Sequence, residues 1–215
     1  MIYLKECKYI PKLYAIKDHA IYMKYYPLGS LSEVMKKRIS SKENFFRYFL
    51  LYDILKGLEY IHSKKIVRSD LKCSNILCDS IDDQVTCIIS DFGSAGIVGE
   101  ELISYTKGYN APELLKNKKL TFEADIYSLG KLIIEIFVFG IDITQIDISN
   151  IDKILNYTYF FNNEYKIIKK HVTKPHINNA KTLFELTKSC LNEDPTKRPK
   201  LSDFFEKVNF SDDYY

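Results

Sequence analysis

The chain has 215 residues, 46% hydrophobic and 14% aromatic, enough to build the core of one domain without disulfides or metals. Its 31 basic and 28 acidic residues leave a net charge of only +3 and form no long basic run, which argues against a nucleic-acid partner. Five cysteines without a C-x-x-C pair argue against a disulfide framework or a zinc site. No secretory signal and no apolar stretch long enough to cross a bilayer is found, so we expect an intracellular protein, cytoplasmic or nuclear. The oligomeric state stays open.

The first predicted element is a β-hairpin. Two apolar runs, Ile10–Ile16 and Ala20–Tyr26, flank the polar turn Lys17–His19, a pattern typical of antiparallel strands joined by a short loop. A proline and a glycine then break the second strand. Either Ser30 or Ser32 would cap a helix that runs to about residue 38.

The rest of the chain is predicted to hold short strands first and helices later. Apolar residues at helical spacing predict three further helices. They run from Asn44 to His62, from Phe122 to Phe139 and from Lys181 to Leu191. Between the first two, residues 66–96 alternate short apolar runs with polar turns, which favours strands that hold functional loops.

The residues suited to chemistry lie on those loops. Phosphoryl transfer needs a carboxylate that orients the attacking hydroxyl and accepts its proton, and further oxygen ligands for magnesium. Asp70 suits the first role, and Asn75 with Asp91 suits the second. An aspartate alone is most often a turn or cap residue. The presence of Lys72, Asn75 and Asp91 in the same sequence favours a catalytic role for Asp70.

Three motifs, D-L-K-x-x-N at Asp70–Asn75, D-F-G at Asp91–Gly93 and A-P-E at Ala111–Glu113, resemble the protein-kinase signature set. The resemblance implies an α+β, protein-kinase-like fold, mainly the α-helical C-terminal lobe with a remnant of the N-terminal lobe β-sheet. It also implies transfer of the γ-phosphate of ATP to Ser or Thr of a protein substrate. Asp70 and Lys72 would be the catalytic residues, because a lysine at that position is the serine/threonine-type arrangement.

The same resemblance assigns a nucleotide site. Backbone groups near Tyr25 and Tyr26 would meet the adenine, with Leu77 beneath the ring and Met23 as gatekeeper. Asn75 and Asp91 would bind Mg²⁺ and the ATP phosphates. The expected cofactors are therefore ATP and Mg²⁺.

Further positions fit the same family. Thr106 lies in a segment that resembles the one seating the substrate, and Asp125 begins a segment that resembles the buried central helix. Arg198 matches the arginine that pairs with the glutamate of A-P-E, here Glu113.

The catalytic loop departs from the family pattern at two positions. Arg68 takes the place of a histidine that packs beneath Phe92, and its long cation is expected either to stack on that ring or to extend outward. Ser69 takes the place of an arginine that receives a phosphate on the activation segment. We therefore expect ordering of residues 91–113 to depend on packing and on Glu113 rather than on phosphorylation.

Two functions stay open at this point. The family places a glycine-rich loop, a strand lysine and a helix glutamate ahead of the first strand pair, and none is found in this sequence. We predict one domain, residues 1–215, in which 1–26 are a remnant of the N-terminal lobe and 27–215 are the hinge and C-terminal lobe. The chain is either a serine/threonine kinase acting on a protein substrate or a catalytically inactive pseudokinase that binds a scaffold partner. Because the missing parts contact phosphate, weak Mg-ATP binding is expected.

A lysine cluster between residues 166 and 174 allows two interpretations. It is interpreted as a solvated face, with docking of an acidic partner as the alternative.

Overall fold

The computed structural model of this chain describes residues 7–37, 45–81, 84–138, 143 and 174–210. Within these ranges the strands are β1 Leu13–Lys17, β2 Ala20–Met23, β3 Ile66–Val67, β4 Ile76–Ile81, β5 Gln84–Ile89 and β6 Gly96–Ile97. The α-helices are α1 Leu31–Lys37, α2 Phe45–Ser63, α3 Pro112–Asn117, α4 Phe122–Phe137, α5 Lys174–Cys190 and α6 Leu201–Lys207. Helices and small sheets together confirm the predicted α+β class. The lysine cluster lies outside the described side chains.

The predicted hairpin forms from β1 and β2. Its two loop residues, Asp18 and His19, have φ angles of 52° and 60°, and two positive φ values in a two-residue loop are the signature of a type I′ turn. The strands pair antiparallel with an irregularity between Leu13 and Ala15. Every residue of both strands is exposed to solvent.

Helix α1 begins where its capping residues predict. The hydroxyl of Ser30 accepts a hydrogen bond from the backbone N–H of Glu33, and the Ser30 N–H donates to the Glu33 carboxylate over 2.7 Å. This reciprocal arrangement is a capping box, which satisfies donors left free at a helix start. Ser30, and not Ser32, is therefore the cap.

The core of the chain lies between α2 and α4. The predicted apolar face of α2 is fully buried, at Leu51, Ile54, Leu55, Leu58 and Ile61. Helix α4 is buried around almost its whole circumference, which is typical of a helix at the centre of a protein. Thr121 caps it by accepting from the Ala124 N–H over 3.2 Å. The helix ends at Phe137, and the predicted end at residue 139 lies outside the described residues.

Two antiparallel pairs hold the functional loops against this core. Strands β4 and β5 pair from Ile76↔Ile89 to Ile81↔Gln84, and β3 pairs with β6. Helix α2 packs on β5. The sheet therefore fixes the distance between the loop before β4 and the loop after β5.

Helix α5 packs against α4 and begins seven residues before the predicted start at Lys181. Its first turn contains Pro175, which is favourable there because the first N–H groups of a helix have no intrahelical partner. Only one aliphatic residue, Ile177, lies between 174 and 179, so apolar periodicity could not identify this part of the helix. At Gly130 of α4 an added Cβ would lie 2.7 Å from the Cβ of Cys190, so this glycine permits the close approach. Among the described helices, none has the length and apolar character needed to span a membrane.

Candidate active site

The candidate active site is built on the loop that follows β3. The carboxylate of Asp125, at the start of α4, accepts hydrogen bonds from the backbone N–H of Arg68 over 2.7 Å and of Ser69 over 2.8 Å. The same carboxylate lies 2.8 Å from Nε2 of His62 on α2. Ser69 has a φ of 57°, a strained angle for a non-glycine residue that this anchoring supports. The loop is thus attached to the most buried of the described helices.

Asp70, Lys72, Asn75 and Thr106 form one polar cluster at the end of this loop. The Lys72 ammonium lies 2.9 Å from Oδ2 of Asp70 and donates to the Thr106 hydroxyl over 2.5 Å. The Asn75 amide donates to the same Asp70 oxygen over 2.8 Å and to the Asp70 carbonyl over 3.1 Å. The structure therefore brings together the two predicted catalytic residues, one predicted metal ligand and the segment that contains Thr106.

This environment sets the charge of Asp70. Burial would raise the pKa of the carboxyl group, but hydrogen bonds from Thr106 and Lys72 and the charge of Lys72 outweigh burial and lower the pKa. Asp70 is therefore ionised at neutral pH. Its second oxygen, Oδ1, is buried and accepts no hydrogen bond from the described residues, so one acceptor stays unused.

Asp91 lies on the neighbouring loop after β5. It has a φ of 55° and caps a short 3-10 helix, Phe92–Ser94, by accepting from the Gly93 N–H at 3.4 Å. Directly before it, the N–H and hydroxyl of Ser90 both donate to the Asn75 carbonyl over 2.9 Å. Because these bonds join the two loops, the two predicted metal ligands lie on segments that cannot move far independently.

The donor set around the two loops fits a hard cation. The Asn75 side chain makes both of its described hydrogen bonds through the amide nitrogen, so its side-chain oxygen has no hydrogen-bond partner among the described residues, and Asp91 is exposed. Carboxylate and amide oxygens are the ligands that Mg²⁺ takes in proteins. The residues present thus fit the ion that the sequence motifs imply.

Comparison with known proteins identifies the family. The protein kinase domain matches residues 6–210. The chain belongs to the protein kinase family. It is 32% identical over 190 residues to serine/threonine-protein kinase PLK1 of Xenopus tropicalis, an alignment that covers 86% of this chain and 29% of the relative.

Two further relatives show comparable identity to this chain. The LRR receptor-like serine/threonine-protein kinase FEI 2 of Arabidopsis thaliana is 29% identical over 189 residues, covering 82% of this chain and 32% of the relative. The probable serine/threonine-protein kinase PBL7 of the same plant is 38% identical over 125 residues, covering 52% of this chain and 32% of the relative. The chain thus spans about a third of the length of each of these three relatives. Protein kinases generally use ATP and Mg²⁺, and they act on protein substrates.

The segment with the predicted adenine contacts adjoins the β4–β5 pair. Leu77 of β4 pairs with Ile88 and makes an isolated bridge with Ser30, which joins the segment after β2 to the β4–β5 sheet. Tyr26 is buried and its hydroxyl accepts from the Lys12 N–H over 3.1 Å, whereas Tyr25 is 82% exposed. Their roles toward a nucleotide stay predictions.

The Arg68 side chain stacks on the Phe92 ring and does not extend outward. Its side chain is completely buried, its guanidinium lies 5.4 Å from the centre of the Phe92 ring, and Nη2 donates to the Ser90 carbonyl over 2.6 Å. Burial lowers the pKa of the guanidinium, while Asp125, Asp70 and Asp91 act in the opposite sense. Nε and Nη1 have no hydrogen-bond partner among the described residues. Arg68 therefore cannot serve as a surface receiver for phosphate.

Sequence reasoning missed the partner of Ser69. Its hydroxyl donates to the backbone carbonyl of Ser94, and its own carbonyl accepts from the Asn110 amide over 3.2 Å. A neutral hydrogen bond thus joins the catalytic loop to the activation segment where the family has an arginine. No sequence signal identifies a backbone acceptor that lies 25 residues away.

The predicted ion pair between Glu113 and Arg198 is confirmed. The two guanidinium nitrogens donate to the two carboxylate oxygens over 2.6 and 2.8 Å. Arg198 also donates to the carbonyls of Asn192 and Glu123, both over 2.9 Å, and lies 5.0 Å from the centre of the Tyr127 ring. The pair connects α3, at the end of the activation segment, to the C-terminal helices.

Proposed function

We propose that this chain transfers the γ-phosphoryl group of ATP to a serine or threonine hydroxyl of a protein substrate. The observation that carries the proposal is the Lys72 ammonium, which contacts both the Asp70 carboxylate and the Thr106 hydroxyl. Lys72 thus connects the candidate base to the segment that would seat the substrate. Such a connection would hold the substrate hydroxyl close to the γ-phosphate of ATP for direct transfer.

In this proposal Asp70 acts as the base. Lys72 and Asn75 hold its Oδ2. A substrate hydroxyl would donate to this carboxylate, which would orient the hydroxyl and accept its proton. The lowered pKa of Asp70 keeps the carboxylate ionised and able to accept.

The remaining site residues would bind the nucleotide. The oxygens of Asn75 and Asp91 would hold Mg²⁺, and that ion neutralises charge on the β- and γ-phosphates when bound. Backbone groups near Tyr25 and Tyr26 would contact the adenine, with Leu77 beneath the ring. Lys72 would contact the transferred phosphate and thereby leave Asp70 to the substrate hydroxyl.

The test is phosphoryl transfer from labelled ATP to a library of Ser- and Thr-containing peptides, with matched Asp70→Asn and Asp203→Asn variants. Asp203 lies on α6 and pairs with Lys207, so the second variant controls for loss of one carboxylate. We expect Asp70→Asn to lower the rate by about 10² to 10⁴-fold and Asp203→Asn to leave it unchanged. Equal rates in parent and Asp70→Asn would contradict the assignment.

The pseudokinase scaffold is a second candidate, favoured by the β1–β2 hairpin. Tyr14, Ile16, Ile21 and Tyr22 are each more than half exposed, and exposed apolar patches mark interaction sites. A two-stranded hairpin is also only marginally stable by itself. Phosphoryl transfer from labelled ATP separates the candidates, since a scaffold turns over nothing.

A further inference from the structure

Two free cysteines face each other across the β4–β5 sheet. Cys78 and Cys87 are register partners in this antiparallel pair, and the side chains of both are completely buried. Directly opposite residues in such a ladder project their side chains to the same face. Both thiols therefore point into the core together.

The hydrogen bonds around the sheet identify the type of pair. The Cys78 N–H donates to the Gly29 carbonyl, and the Cys87 N–H donates to the Asp53 carboxylate, each over 2.9 Å. Two residues further along, the Ile89 N–H likewise points away from β4, to the Tyr9 carbonyl at 2.9 Å. Cys78 and Cys87 are thus a non-hydrogen-bonded pair, in which Cα atoms lie about 4.5 Å apart and side chains approach most closely. That separation is within the range that a disulfide spans.

The surroundings of the pair contain a third thiol and two carboxylates. Cys73 is also buried, and its N–H donates to Glu135 over 3.3 Å, while Asp53 lies at the Cys87 N–H. Burial raises the pKa of the Cys73 and Cys87 thiols well above the usual range, so both are protonated in the folded chain. No three metal-binding side chains converge anywhere in the described ranges, and a shared metal ion therefore does not explain the cluster.

We propose that Cys78 and Cys87 are a modification site that forms a reversible cross-strand disulfide by exchange with a small-molecule disulfide. In the first step the thiolate of one cysteine attacks a sulfur of the oxidant, forms a mixed disulfide and releases one small thiolate. In the second step the other cysteine attacks the protein sulfur of the mixed disulfide and releases the second small thiolate. The two protein thiols lose two protons and two electrons, and the small disulfide is reduced to two thiols.

The disulfide would act on the candidate active site through the sheet. β4 begins directly after Asn75, and β5 ends one residue before Ser90, whose N–H and hydroxyl donate to the Asn75 carbonyl. A covalent bond between the strands would stabilise their register. The loops that carry Asn75 and Asp91 would then be held at a fixed separation, and the inaccessibility of the buried thiols would make the change slow.

The experiment is refolding of the chain in buffers with increasing ratios of oxidised to reduced glutathione, because refolding exposes both thiols to the oxidant. Free thiols are then alkylated, and cleavage before aspartate separates fragments 70–78 and 83–90. We expect the fragments to stay joined and the intact chain to lose the mass of two hydrogen atoms. We also expect a higher melting midpoint for the oxidised chain, which returns to the parent value on reduction.

Variants identify the bond and control for folding. Cys73→Ala should keep the joined fragments, whereas Cys78→Ala and Cys87→Ala should each lose them while melting cooperatively. Fragments joined in Cys78→Ala, five alkylated thiols in the parent at every ratio, or a lower melting midpoint for the oxidised chain would each overturn the proposal.

Discussion

Replacing Arg198 by alanine should destabilise this protein more than loss of a surface charge would. The Arg198 side chain is 0% exposed and that of Glu113 is 18% exposed, so the mutation leaves a carboxylate largely buried without its cation. It also removes the hydrogen bonds that Arg198 donates to the carbonyls of Asn192 and Glu123. Removing one partner of a buried pair costs about 3 to 5 kcal/mol.

The expected change in melting temperature follows from chain size. At about 2 to 4 °C per kcal/mol for a protein of this length, Arg198→Ala should lower the midpoint by roughly 6 to 20 °C. Differential scanning calorimetry and urea unfolding measure the midpoint and the free energy of unfolding. Arg198→Lys should recover only part of the loss, because an ammonium cannot form the bidentate pair.

Lys207→Ala provides the matched control. Lys207 lies 2.8 Å from Asp203 one helical turn away, but its side chain is 53% exposed, and such pairs are worth about 0.3 to 0.5 kcal/mol. If Arg198→Ala were no more destabilising than Lys207→Ala, the argument from burial would be refuted. An Arg198→Ala loss equal to that of Arg198→Lys would show that the bidentate geometry, not the charge, is responsible.

Three further predictions concern pH, regulation and specificity. Burial raises the pKa of Asp53 from 3.8 to about 6, although the hydrogen bond from the Cys87 N–H and the charge of Lys8 act in the opposite sense. Between pH 4 and pH 6 the folded chain therefore binds more protons than the unfolded chain. The free energy of unfolding should fall as pH rises through this window. Asp53→Asn should remove this dependence and raise the unfolding free energy at pH 7 by about 1 to 3 kcal/mol, and a parent whose stability is flat across this window would contradict the assignment. Phosphorylation of residues 91–113 should change the transfer rate less than tenfold, about 1.4 kcal/mol, since Ser69 donates to a neutral carbonyl; a larger activation that is lost with the modified residue would oppose this. Mass spectrometry of reaction products should find phosphoserine or phosphothreonine, and phosphotyrosine as the main product would refute the specificity.

Local sequence determined the elements whose physical cause is local. The turn within Lys17–His19, a serine cap before α1 and the apolar face of α2 depend on neighbouring residues, and all of them occur where the pattern predicts. The spacing of Asp70, Asn75 and Asp91 likewise identified the candidate chemistry and the family, because motifs of fixed order encode loops of fixed length.

Only the tertiary structure decided which long-range partners these residues have. The sequence allowed Arg68 either to stack on Phe92 or to extend outward. In the structure its side chain lies beside Phe92 and donates to the Ser90 carbonyl. The Ser69 bond to Ser94 and the facing thiols of Cys78 and Cys87 depend on strand register and burial. Such contacts join residues that share no local pattern, since they exist only once helices and sheets have packed into one core.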